Sequence, residues 1–170
     1  MTMILNYDDA YEAITRGETD WETLTCRVGR NDLPAILSEV AWSMTDDELA
    51  SALRDSWVMA ESPENCLDRE TWIDLFEPIG YRHNTEPATP PSEVVLYRGG
   101  MHVGRMSWTA DRELAEWFRD RYPGGQLWTA TVGADALLAF YDGVRDGGGG
   151  AGETEYVIDP GLITPKVWSR

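Results

Sequence analysis

Gly152-Glu153-Thr154-Glu155-Tyr156-Val157-Ile158, preceded by glycines at 147–150, decides how the C-terminal half of this 170-residue chain is read. Its last four residues form a β-prone run, and alternate side chains of a strand share a face. Glu153, Glu155 and Val157 therefore project to one side, Tyr156 and Ile158 to the other. Two carboxylates can enter one cleft in this way, although the same spacing on an isolated strand describes a solvated face. Residues 146–152 are nearly all glycine, cannot hold regular structure, and read as a mobile loop ending at Glu153.

Working outward, strands are predicted over 94–98, 105–109, 127–132, 138–142, 155–158 and 163–168, many rich in β-branched and aromatic residues. One helix interrupts them over 111–122, with Leu114, Ala115, Trp117 and Phe118 inward. Upstream the pattern is helical. Asn6 is placed to cap a helix over 7–16 that Gly17 stops, with Tyr7, Ala10, Tyr11 and Ile14 on one face. Leu33, Ile36, Leu37, Val40 and Met44 give a second helix over 32–44. Thr45 and Glu48 form a capping-box pattern ahead of Leu49, Leu53 and Trp57, and Trp72, Leu75, Phe76 and Ile79 form another stripe. Such stripes are core faces rather than ligand sites. Residues 83–92, with Pro87, Pro90 and Pro91, read as an extended connector, and His83 as a solvated residue within it. The fold class is therefore α+β: a helical part over 1–82, a connector over 83–92 and a strand-rich part over 93–170.

The formal net charge is −16, and it is uneven: residues 1–80 hold 18 acidic and 5 basic side chains, residues 81–170 hold 12 and 9. No basic stripe exists to release counterions from a phosphate backbone, so direct nucleic-acid binding is not expected. The acidic half reads as a solvated surface or as a face for a basic protein partner. Cys26 and Cys66 are the only cysteines and lie in no metal-ligand spacing, which fits a reducing, cytoplasmic setting and leaves secretion open. Residues 1–11 carry neither a basic segment nor a long apolar run, so no signal peptide or membrane span is expected there. The two histidines, His83 and His102, fit no triad or zinc spacing, and His102 lies close enough to Arg98 in sequence to touch a cleft. No metal is expected.

Two upstream segments carry groups that complement paired carboxylates. Leu96-Tyr97-Arg98-Gly99-Gly100 ends an apolar strand on a guanidinium, a planar fork for phosphate or ribose oxygens, followed by glycines that let backbone approach a ligand. Met106-Ser107-Trp108-Thr109-Ala110-Asp111 offers Ser107 as a hydroxyl donor to Glu155. A carboxylate beside a sugar stabilises oxocarbenium charge and holds a hydroxyl, and a second carboxylate can orient or deprotonate a nucleophile.

Taken in chain order, these three segments resemble the Arg, Ser-Thr-Ser and Glu-x-Glu signature of ADP-ribosyltransferases of the Arg-Ser-Glu class. The resemblance covers roughly residues 93–168. It implies a split β-sandwich that binds NAD as substrate, with Arg98 as the NAD arginine and Arg105 as the alternative. It also implies that Ser107 and Thr109 stand at the two hydroxyl positions, with Trp108 between them. Glu155 becomes the glutamate that stabilises the oxocarbenium, and Glu153 the transferase residue of the arginine-modifying type. Residues 119–126 resemble the phosphate and nicotinamide loop, in which Tyr122 stacks on the ring while Arg119 or Arg121 approaches phosphate. Residues 141–152 resemble the substrate-recognition loop. The resemblance thus implies a toxin or effector enzyme that transfers ADP-ribose to a protein acceptor, at arginine in the type that Glu153 resembles. NAD glycohydrolysis and a catalytically inert interaction protein are the alternatives. The helical half is similar to what precedes such domains in uncharacterised actinobacterial or phage proteins, a similarity that brings no function.

Overall fold

The structure, a computed structural model, describes residues 3–143 and 154–169. The fold is α+β, and the chain divides into two compact units, Met1–Ile79 and Gly80–Arg170.

The first unit contains helices α1 (Tyr7–Thr15), α2 (Trp21–Thr25), α3 (Leu33–Val40), α4 (Asp46–Met59), α5 (Pro63–Cys66) and α6 (Arg69–Phe76). Local chemistry sets their ends. Asn6 Oδ1 accepts from the Asp9 amide at 3.0 Å, and Gly17, at φ +99°, ends the helix where an L side chain would be strained. Thr45 and Glu48 satisfy each other's amides, at 2.8 and 3.3 Å, which fixes the start of α4. Ala10, Leu24, Ile36 and Val40 form one core cluster. Trp57, Trp72 and Phe76 form an aromatic one, with Trp57 and Trp72 edge to face at 5.0 Å. Two expectations change here. Tyr11 is 46% exposed and pairs with Tyr7 at the surface, 6.0 Å between centroids, instead of packing inward. The helix ending at Val40 gives way to a 3-10 turn, Ala41–Ser43, so it stops short of Met44.

The second unit is built on two sheets. Its strands are β1 (Arg82–His83), β2 (Glu86–Pro87), β3 (Glu93–Gly100), β4 (Ser107–Trp108), β5 (Gln126–Gly133), β6 (Leu137–Tyr141), β7 (Glu155–Ile158) and β8 (Lys166–Val167). One sheet runs β2-β1-β6-β7-β4 and the other β3-β5-β8. All pairings are antiparallel except β1 with β6. The core gathers Leu96, Ala130 and Val132 from the smaller sheet and Trp108, Leu137 and Ile158 from the larger. Helix α7 (Arg112–Asp120) lies against β3. Gly99 permits this approach: a Cβ there would sit 1.7 Å from the Ala115 carbonyl oxygen.

The unit boundary at Ile79/Gly80 differs from the expected connector over 83–92. Arg82, expected in the helical part, and His83, expected in the connector, are strand residues paired in parallel with Ala139 and Phe140 in the second unit. A strand of two residues has no periodicity to read, and its partner lies more than fifty residues downstream. Trp117 is corrected as well: it is 54% exposed, while Ala115 is buried against β3. Two positions beyond Ala115 is about 200° around a helix, which turns Trp117 away from the sheet.

Candidate active site

Glu155 opens β7 and Tyr141 closes β6, and the two are register partners. Val157 pairs with Ser107 and with Ala139, so Ser107, Val157, Glu155, Ala139 and Tyr141 share one sheet face. Ser107 and Glu155 are diagonal neighbours on that face, about 7–8 Å apart at Cα, a gap that a glutamate side chain can span. Trp108, Tyr156 and Ile158 occupy the other face and pack into the core. Glu153 and residues 146–152, the expected glycine loop, lie outside the described residues.

Arg98 stands near the end of β3, on the edge of the smaller sheet. Its Nε donates to the His102 carbonyl and one terminal nitrogen to the Ser107 carbonyl, both at 2.7 Å. The guanidinium therefore closes the turn between β3 and β4 and fastens the serine segment to β3. His102 enters through its backbone carbonyl, not its imidazole. Arg105, the alternative arginine, offers its carbonyl to Trp108 Nε1 at 2.9 Å. The serine segment itself bridges the sheets. Ser107 and Trp108 pair with β7, whereas Thr109 exchanges two backbone bonds with Tyr97 of β3, at 2.7 and 2.9 Å.

Thr109 is buried, and its hydroxyl accepts from the Asp111 amide at 3.0 Å at the entry to α7. Asp111 in turn caps that helix through the Leu114 amide. Thr109 is thereby tied into the framework at the start of α7. The missing side chain of Gly99 accommodates α7. Arg119 grips its neighbour Asp120 through two nitrogens, at 2.7 and 3.2 Å. That contact holds the guanidinium pKa up and the carboxyl pKa down. Arg121 lies over Trp117, 5.0 Å from its centroid, and near Tyr122 at 5.9 Å. Tyr122 is half exposed, so the aromatic–arginine group faces solvent.

The sequence reading missed Arg82. It is 5% exposed, pairs with Ala139 beside Val157, and so shares the face of Glu155, with a guanidinium nitrogen donating to the Thr85 carbonyl at 3.0 Å. Its guanidinium is the one cationic group that the β1–β6 pairing adds to that sheet face. Only the parallel pairing of β1 with β6 reveals it.

His83 also changes role. Its Nε2 lies 2.7 Å from Asp142 Oδ2, so it is a fixed residue of the sheet rim. Among the described residues no group of three His, Cys, Asp or Glu is placed to hold a metal ion, and no helix is long and apolar enough to cross a membrane.

No protein-family model matches the chain, and comparison with curated proteins and with solved structures gives no match.

Proposed function

We propose that the chain is a mono-ADP-ribosyltransferase whose Gly80–Arg170 unit is a split β-sandwich of the ADP-ribosyltransferase type. The observation that carries this reading is the lateral order of three segments. The Arg98 guanidinium is fastened to the Ser107 carbonyl, and Ser107 pairs with Val157, two residues beyond Glu155 on the same face. The passage of residues 107–109 from the larger sheet to the smaller supports the split architecture.

In this reading NAD binds across Arg98 and Ser107. The bond between ribose C1′ and the nicotinamide ring nitrogen breaks, and its electron pair leaves with nicotinamide. Glu155 stabilises the positive charge left on the ribose. A protein nucleophile, in the arginine-modifying type a guanidinium nitrogen, then bonds to C1′, and Glu153 takes its proton. Arg82, buried on the sheet face that Glu155 shares, adds a positive charge to that face.

The test is nicotinamide release from NAD by wild type and Glu155→Gln, with labelled protein and free ADP-ribose counted separately. The substitution is expected to lower turnover by about 10²–10³, the usual effect of removing one preorganised electrostatic group. Turnover that survives it overturns the site assignment. Free ADP-ribose without labelled protein replaces transfer by hydrolysis.

A further inference from the structure

The β1–β2 hairpin grips the end of β6 through contacts that the proposed chemistry does not use. Asp142, the first residue beyond β6, is held at both carboxylate oxygens: His83 Nε2 lies 2.7 Å from Oδ2, and Asn84 Nδ2 donates to Oδ1 at 2.8 Å. Asn84 also closes the contact in reverse. Its Oδ1 accepts from the Asp142 amide at 3.2 Å, and its own amide donates to the Phe140 carbonyl at 2.7 Å. Asn84 adopts φ +53°, the left-handed region that asparagine tolerates better than most residues, and is the one non-glycine residue among those described to do so. Beside these bonds a row of rings crosses three strands. His83 meets Phe140 edge-on at 4.9 Å, and Phe140 lies 4.6 Å from Tyr156.

The row ends next to Glu155. Tyr156 follows it on β7, and Tyr141, between Phe140 and Asp142, is its register partner. The rings of His83, Phe140 and Tyr156 lie on the face opposite Glu155, so they brace the strand ends from the other side of the sheet. The end of a ladder is where strands open first. A carboxylate that acts by preorganised charge must stay within about 0.5 Å of its working position.

We infer that His83, Asn84 and Asp142 form a clasp that positions Glu155 by holding the β6–β7 end from the far face of the sheet. The inference rests on the reading of Glu155 as the charge-stabilising carboxylate. The three are positioning residues. Loosening them lets Glu155 move in the transition state while leaving the NAD contacts of Arg98 and Ser107 in place, so the loss falls on kcat and not on KM.

The experiment uses the full chain as wild type, Asn84→Gly, His83→Ala and His83→Gln. Glycine suits the left-handed backbone, so Asn84→Gly removes only the side-chain bonds. Glutamine keeps a donor for Asp142. Two quantities are read: hydrogen exchange of the β7 amides, which the clasp does not itself bond, and kcat and KM for nicotinamide release. Asn84→Gly and His83→Ala are expected to speed β7 exchange at least tenfold while β3 and β5 stay as in wild type. They are also expected to lower kcat about tenfold with KM within twofold, and His83→Gln to restore both. Unchanged β7 exchange, equal acceleration in every strand, or unchanged kcat despite faster β7 exchange overturns the inference. Absence of turnover in wild type overturns the proposed function instead, and β7 exchange alone then decides the clasp.

Discussion

At the scale of single residues, two polar groups, one buried and one half-buried, give opposite expectations. Ser56 of α4 is fully buried, and its Oγ has no hydrogen-bond partner among the described residues. A buried hydroxyl without a partner keeps its desolvation cost and gains nothing in return. Ser56→Ala is therefore expected to stabilise the chain by about 1 kcal/mol, read as a shift of the urea midpoint. A lower midpoint means that the hydroxyl is satisfied after all. Tyr81 packs against the core of the second unit, and burial, with the nearby Tyr156 adding, pushes its phenol up to about 12. The folded state then holds this proton to higher pH than the unfolded chain, whose tyrosine titrates near its ordinary value of about 10. The stabilisation is complete below about pH 10 and is lost as pH rises from 10 to 12. Tyr81→Phe is expected to remove this loss, roughly 1 kcal/mol once partial exposure is allowed for, in denaturation measured at pH 9 and pH 11.5. Equal pH dependence in the two proteins would show that Tyr81 is not the cause.

Among the elements, the contact between α7 and β3 is the one most sensitive to a single atom. The Cβ of Gly99→Ala would lie 1.7 Å from one helix carbonyl oxygen and 2.7 Å from the Arg119 amide nitrogen, and backbone cannot yield as a flexible side chain does. The substitution is expected to cost about 3 kcal/mol or more and to displace α7, measured by thermal denaturation and by hydrogen exchange along 112–120. A neutral effect would mean that the helix does not sit so close. Local and distant determinants also separate at this scale. The Asn6 cap, the Gly17 stop and the Thr45–Glu48 box lie within a few residues of what they control, so the sequence displays them directly. Helices α2 and α5, of 5 and 4 residues, are too short to show a period. Strand β1 depends on Ala139 and Phe140. No local rule reaches that far, which is why Arg82 reads as the end of the helical part and His83 as the start of the connector.

Over the whole molecule, the strand-rich half and the order of Arg98, Ser107 and Glu155 were legible because alternation and motif spacing are properties of the sequence. How the groups are engaged was not, since the Arg98 bonds to two carbonyls and the Arg119–Asp120 pair are products of folding. Charge is the whole-molecule property that the sequence does display, and it divides as the fold does. Met1–Ile79 carries 18 acidic and 5 basic side chains, and Gly80–Arg170 carries 12 and 9. Like charges on a compact unit repel and favour expansion, and salt screens them over a Debye length that falls from about 30 Å at 0.01 M to about 3 Å at 1 M. Raising sodium chloride from 20 to 500 mM is therefore expected to stabilise the chain at pH 7, by about 1 kcal/mol or roughly 2–4 °C in Tm. The Met1–Ile79 unit, with a net charge of −13 against −3, should gain more than the other. Hydrogen exchange resolved along the chain at both salt concentrations checks this. Protection must rise more in α3, α4 and α6 than in β3, β5 and β6. An equal rise, or a larger one in the strands, would show that the acidic side chains of the helical unit are already compensated by their own capping and pairing contacts.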